Sequence, residues 1–169
     1  PADIAAYCLK AIQCGKNCGD LYNAGLSYGP KMWNLQVQGK NLRHIEAVTE
    51  ECLHFSKKNQ LYFSVGLAEA VLAAWVNPMK ADYSPVDMTD TLNRWAENNY
   101  VAASGSYFVL LAIAQYYRGE YLAASKSLIE VEKHLHGLTD NVLKRLWYVF
   151  RILNLLKIKD RSLWQECEL

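Results

Sequence analysis

Turn-forming residues punctuate this chain at an almost constant interval, and that spacing limits its possible folds more than any other feature. Gly19, Gly39, Asn59-Gln60, the Asn77-to-Pro85 segment, Asn98-Asn99, Gly119 and Gly137 recur about every 20 residues. A helix filling each interval, with its turn, gives an antiparallel pair of about 40 residues, the size of one helical-repeat unit. No stretch alternates apolar and polar residues with the period of two that a half-buried strand needs. The spacing predicts eight helices, over 2–16, 19–38, 41–58, 60–76, 87–97, 100–118, 120–136 and 139–158. The expected class is all-α, with helix pairs stacked one on the next along residues 1–169 as a single domain.

Apolar periodicity supports this within single segments. In the third helix Leu42, Ile45, Val48, Cys52 and Phe55 form one stripe, while Arg43, Glu50, His54 and Lys57 lie away from it. The seventh sets Tyr121, Ala124, Leu128, Val131 and Leu135 against Lys126, Glu130 and Lys133, with Lys126 and Glu130 spaced for a weak surface pair. In the last helix Val142, Leu146, Val149, Leu153 and Leu156 are expected inward, with Lys144, Arg145, Arg151 and Lys159 outward as a solvated basic face.

Two places depart from the regular plan. Gly29-Pro30 falls inside the second helix, where a proline removes a hydrogen bond and crowds the preceding turn, so a kink or a break is expected. Asn77-Pro78 ends the fourth helix and opens a loop that is long for a helical hairpin and is expected on a functional face. Asp87 then begins Asp-Met-Thr-Asp, an acidic variant of the capping box, which should return the chain to a helix. Asn98 to Tyr117 carries no charge and has about the length of a membrane span. Its Asn98, Asn99, Ser104, Gly105, Ser106 and Gln115, and the lack of a flanking basic cluster, favour a central helix covered by protein.

Composition narrows the function classes. With 51% hydrophobic and 21% charged residues the chain can bury a sizeable core. A net charge of +1 is too small for the electrostatic footprint of a nucleic-acid binder. The 11 tyrosines and five tryptophans suit half-buried positions on a long surface or an interface. Five cysteines, Cys8, Cys14, Cys18, Cys52 and Cys167, make an odd set without repeated spacing, which points to reduced thiols and a cytoplasmic location. The start at Pro1 lacks the charged and apolar regions of a signal peptide and suits a piece excised from a larger chain.

Catalytic patterns are sparse. There is no glycine-rich phosphate loop, no Gly-x-Ser-x-Gly elbow and no His-Glu-x-x-His pair. Glu51-Cys-Leu-His54 has the Glu-x-x-His spacing of di-iron helical bundles, with Glu69 as a further carboxylate. Such a site needs a second Glu-x-x-His, and Glu130 with His134 is one residue too long, so a solvated charged face is the simpler reading. Cys14 and Cys18, four apart with Cys8 nearby, lack the paired spacing of a zinc site. No cofactor or metal is expected.

The segment Phe108-Val-Leu-Leu-Ala-Ile-Ala-Gln-Tyr-Tyr-Arg-Gly-Glu-Tyr-Leu-Ala-Ala124 resembles the tetratricopeptide pattern. Phe108 takes its large aromatic position, Leu111-Ala112 its Leu-Gly/Ala pair, Gly119 its turn glycine and Ala124 its small residue in the second helix. The departures are an aromatic shifted to Tyr116, Val131 at the usual alanine and no terminal proline. A wider stretch, from Gly19-Asp-Leu-Tyr-Asn-Ala through Gly39-Lys-Asn-Leu to Phe55-Ser-Lys-Lys-Asn-Gln60, is similar to the degenerate helical repeats of large multidomain signalling proteins. There a P-loop ATPase precedes the repeats, and a kinase, sensor kinase or cyclase can share the chain.

The resemblance implies a tetratricopeptide-like α-solenoid acting as a non-enzymatic scaffold or sensor that binds a protein, a peptide or neighbouring domains. It places Trp33 and Gln36, with Tyr116 and Tyr117, on the concave surface as the partner-binding residues; inter-repeat packing is their structural alternative. Two other functions stay open: a regulatory domain for a peptide or small ligand, marked by a buried polar cluster beneath Trp33 and Tyr116, and a helical-bundle metalloenzyme using Glu51 and His54.

Overall fold

A computed structural model describes residues 4–138 and 142–158. These form eight α-helices: α1 Ile4–Cys18, α2 Leu21–Val37, α3 Leu42–Lys58, α4 Tyr62–Val71, α5 Thr89–Glu97, α6 Val101–Tyr117, α7 Tyr121–Glu132 and α8 Val142–Lys157. A π-helical turn, Leu72–Val76, extends α4, and a 3-10 turn, Leu135–Leu138, follows α7. Among the described residues there is no strand.

The turns repeat because their chemistry repeats. Gly19, Gly39, Gln60, Asn99 and Gly119 all have φ between 57° and 82°, the left-handed region. At four of them the same pair of hydrogen bonds closes the preceding helix. Lys40 N–H donates to the Leu35 carbonyl beside Gly39 to Gln36, and Leu61 to Ser56 beside Gln60 to Lys57. Tyr100 to Trp95 beside Asn99 to Ala96, and Glu120 to Gln115 beside Gly119 to Tyr116, complete the set. This is the Schellman cap, which satisfies the last carbonyls and turns the chain straight into the next helix. Asp20 and Asn41 then cap α2 and α3, accepting from the Asn23 and Arg43 amides at 3.2 and 2.9 Å.

The even-numbered helices form one continuous layer, α2 against α4, α4 against α6 and α6 against α8. The odd-numbered helices lie on its outside, with α1 on α2, α3 on α4 and α7 on α6. Helix α6 is central. Its Ala103, Ser104, Gly105, Ser106 and Tyr107 are buried in succession, as expected for a segment covered on several sides by protein. No described helix is long and apolar enough to cross a membrane. Gly137, read from sequence as a turn glycine, has another purpose. A Cβ there would stand 2.8 Å from Val101 Cγ1 and 2.9 Å from the Ala102 amide nitrogen, so the 3-10 turn needs glycine in order to touch α6.

Several expectations need correcting. Helix α2 continues through Pro30 without a break; the proline ring is exposed, and the carbonyl it leaves without a donor can turn to water. Glu130 pairs with Lys133 at 2.8 Å rather than with Lys126. Asp87 accepts from the Thr89 amide and hydroxyl at 2.9 and 2.7 Å, so it makes a local turn two residues ahead and α5 begins at Thr89.

The largest correction is the face of α8. Leu143, Trp147, Phe150 and Asn154 are buried, whereas Val149 is 49% and Leu156 is 62% exposed. Two polar groups fix this rotation. Trp147 Nε1 donates to the Leu128 carbonyl at 2.9 Å, and Asn154 Nδ2 donates to the Tyr121 carbonyl at 3.0 Å and to Ser125 Oγ at 2.7 Å. Of the basic residues, Arg151 pairs with Glu132 and covers the Trp147 ring rather than standing free in solvent; Lys159 lies outside the described residues.

Candidate functional site

A cleft of about 150 Å3 opens on the even-numbered layer, lined by α2, α6, α8 and the π turn that extends α4. Gln36 and Val37 come from the end of α2 and Trp75 from the π turn after α4. Helix α6 supplies Leu110, Ile113 and Tyr117, and α8 closes the cleft with Leu146 and Phe150. Gln36, Trp75 and Tyr117 follow one another at intervals of about 40 residues, so each sits at a matching place in its helix pair. The repeat that spaces the turns therefore also converges these side chains.

The walls are aromatic and aliphatic. Tyr117 meets Trp75 edge-on with ring centroids 6.3 Å apart and Phe150 at 5.8 Å, and it is 62% exposed, forming the rim. Against this apolar lining stand polar atoms sealed from solvent with no hydrogen-bond partner among the described residues. They are both ends of the Gln36 amide and the indole nitrogen of Trp75. A buried donor or acceptor left unpaired costs about 1–3 kcal/mol, so native chains retain few without a purpose.

Of the four residues expected to bind a partner, Gln36 and Tyr117 meet in this cleft. Trp33 does not line it; the residue is half-buried and packs against the core. Tyr116 is half-buried behind the wall, its ring 5.3 Å from Phe150 and 5.5 Å from Tyr121, and acts as packing between α6, α7 and α8. The sequence reading missed Trp75 and Phe150. A signal for Trp75 was present, since it stands about two turn-intervals beyond Gln36. Phe150 fell outside the stripe chosen for α8.

The other chemistry-bearing residues are engaged elsewhere. The Glu51 carboxylate accepts from the fully buried Tyr28 hydroxyl at 2.5 Å and from Lys16 Nζ at 3.3 Å. Partial burial pushes the Glu51 carboxyl up, but donation from Tyr28 and Lys16 outweighs it and holds the group below its ordinary value. Lys16 also donates to the Tyr28 oxygen at 2.9 Å, so this cluster ties α1, α2 and α3 together. His54 is exposed, and no three His, Cys, Asp or Glu side chains among the described residues converge as a metal site. Cys14 and Cys18 are exposed and free, while burial pushes the Cys52 thiol up to about 12. A larger groove, about 480 Å3, runs beside α4 and α5; the Arg94–Glu69 ion pair at 2.7 Å closes on itself there.

Among the described residues the fold is all-helical, with an apolar recess on its even-numbered face. No family model, curated protein or solved structure matches the chain.

Proposed function

We propose that this chain is a non-enzymatic, tetratricopeptide-like helical-repeat module, a scaffold or sensor in the cytoplasm that engages a protein, a peptide or a neighbouring domain of a signalling protein through the face formed by α2, α4, α6 and α8. The observation that supports this most is the recurrence of Gln36, Trp75 and Tyr117 at equivalent places in successive helix pairs, so that one face gathers one recess from three repeats. Exposed aromatic rims such as Tyr117 carry a disproportionate share of binding energy in protein contacts.

A second reading, a regulatory domain for a small ligand, is favoured by the sealed Gln36 amide and the Trp75 indole N–H. The two readings part experimentally at the rim. A photo-crosslinking residue at Val37, which lines the cleft and is 52% exposed, should capture a defined partner from native extract. The same residue at Lys126, exposed on α7, should not. Tyr117→Ser should abolish capture while leaving the helical signal and melt unchanged. Equal capture from both positions, or capture unaffected by Tyr117→Ser, would remove the even-numbered face as the docking surface.

A further inference from the structure

We infer that the outward face of α8 docks an acidic amphipathic helix of another protein, laid along the apolar row Val149, Ile152 and Leu156. This surface is independent of the cleft, which takes Leu146 and Phe150 from a different side of the same helix.

The row itself is the first observation. Tyr148, Val149, Ile152 and Leu156 all stand exposed within a few turns of α8. Val149, Ile152 and Leu156 follow the three-then-four spacing by which one helix presents a seam to another. Beyond the far end of the row, exposed Leu122 of α7 borders Lys157 and Ile158 in a shallow hollow. The outermost helix of a stacked array ordinarily turns a polar face outward. Helix α8, the last described helix of the even-numbered layer, turns this apolar one. An exposed apolar patch with a polar rim marks a contact surface.

Charge selects the occupant. Helix α8 holds Lys144, Arg145, Arg151 and Lys157 and no Asp or Glu. Arg151 is paired with Glu132, whereas the other three have no ion-pair partner among the described residues. Arg145 and Lys157 are exposed at the two ends of the row, about 18 Å apart along the helix axis. A helix with an apolar stripe and carboxylates spaced to meet both cations complements this face in shape and in charge. A second copy does not. Two α8 faces laid together, parallel or antiparallel, set these cations against one another. Helix α1, at the opposite end of the molecule, offers Lys10 and Lys16 and likewise no Asp or Glu. A bilayer would also press on α7 beside α8, where Glu130 and Glu132 are partly exposed, so anionic headgroups gain less there than a single helix does.

The experiment titrates the full chain, by fluorescence anisotropy, with a labelled peptide helix of about three heptads carrying Leu at its seam and Glu on both flanks, and with its Lys-flanked counterpart. The Glu-flanked helix should bind, and the Lys-flanked one at least tenfold more weakly. Ile152 is 61% exposed, so Ile152→Asp should leave the helical signal and melt unchanged while weakening the Glu-flanked helix by at least tenfold. Arg145→Glu combined with Lys157→Glu should reverse the preference between the two peptides. Tyr62→Ser, at an equally exposed site on α4, should change neither. Equal binding of the two peptides, or no effect of Ile152→Asp, overturns the assignment. Self-association in sedimentation that Ile152→Asp abolishes, without peptide binding, gives the face to a second copy and overturns it too. So does co-sedimentation with phosphatidylserine vesicles that depends on Ile152 when neither peptide binds. Binding of none of these probes overturns the inference outright.

Discussion

Gln36 carries a folding cost concentrated in one side chain. Its two amide atoms are withdrawn from water and have no hydrogen-bond partner among the described residues. Removing them should therefore help the isolated fold. Gln36→Met is expected to raise stability by about 1 kcal/mol, because a flexible apolar chain of similar length leaves no donor or acceptor stranded. A lower melting temperature would mean that the amide is satisfied after all. Ala124 is the opposite case, fully buried where α7 crosses α6. Ala124→Leu is expected to destabilise the protein by about 1–3 kcal/mol in a denaturant melt, since the crossing has no room for the added volume. His134 gives a pH signature. It stacks on Phe108 with centroids 5.8 Å apart, and burial holds its imidazole below the ordinary 6.5, with Lys133 and His136 adding to the effect against Glu130. The unfolded chain then binds a proton first as pH falls. This contribution is complete above about 6.5 and is lost as pH drops toward the lowered folded value. His134→Phe keeps the stack and should flatten melting temperature against pH just below neutrality.

At the scale of helices, what could be read from sequence was what is local. A Schellman turn needs one residue that tolerates positive φ and a few nearby carbonyls, so Gly39, Asn99 and Gly119 announce their turns. Gln36 and Tyr117 were set on one surface by the tetratricopeptide likeness, and they do line one cleft, on α2 and α6. The face of α8 was not legible, because apolar residues surround most of that helix and two stripes compete. The choice is made by Trp147 and Asn154, whose acceptors on α7 lie far back in the chain. Counting apolar residues favours replacing Asn154; the structure argues the reverse. Asn154→Leu is expected to destabilise by about 1–3 kcal/mol, because it removes the side-chain donor that ties α8 to the Tyr121 carbonyl and the Ser125 hydroxyl of α7. Stability unchanged or increased would show that the hydrogen bonds do not set the register. The π turn that presents Trp75 had no local marker, and π turns inside helices often accompany functional sites.

At the scale of the whole molecule, one shared layer leads us to expect that the described residues unfold as a single cooperative body. Helix α6 contacts α4, α5, α7 and α8, so loosening it exposes much of the core at once. Circular dichroism should show a predominantly helical spectrum that is lost in one transition, and Cys52 provides an internal check. Its buried, high-pKa thiol should stay unreactive toward a thiol reagent until that transition, while exposed Cys14 and Cys18 react at once. Labelling of Cys52 ahead of the helical signal would reveal an opening of α3 that the single-body description forbids.

The tip of α6 has one more consequence. Tyr117 faces the cleft, and its neighbour Arg118 reaches the other way, donating to the Pro78 carbonyl at 3.1 Å and lying 4.7 Å over the Tyr83 ring. The long connection between α4 and α5 is thus latched to the residue beside the rim. A protease needs that connection to swing free before it can cut. Nicking between Met79 and Val86 therefore reads the state of the latch, and Arg118→Ala should be nicked faster there with the melting temperature scarcely moved. Anything that repositions Tyr117 tugs on its neighbour too, so the same nick offers a gauge of the cleft from outside it.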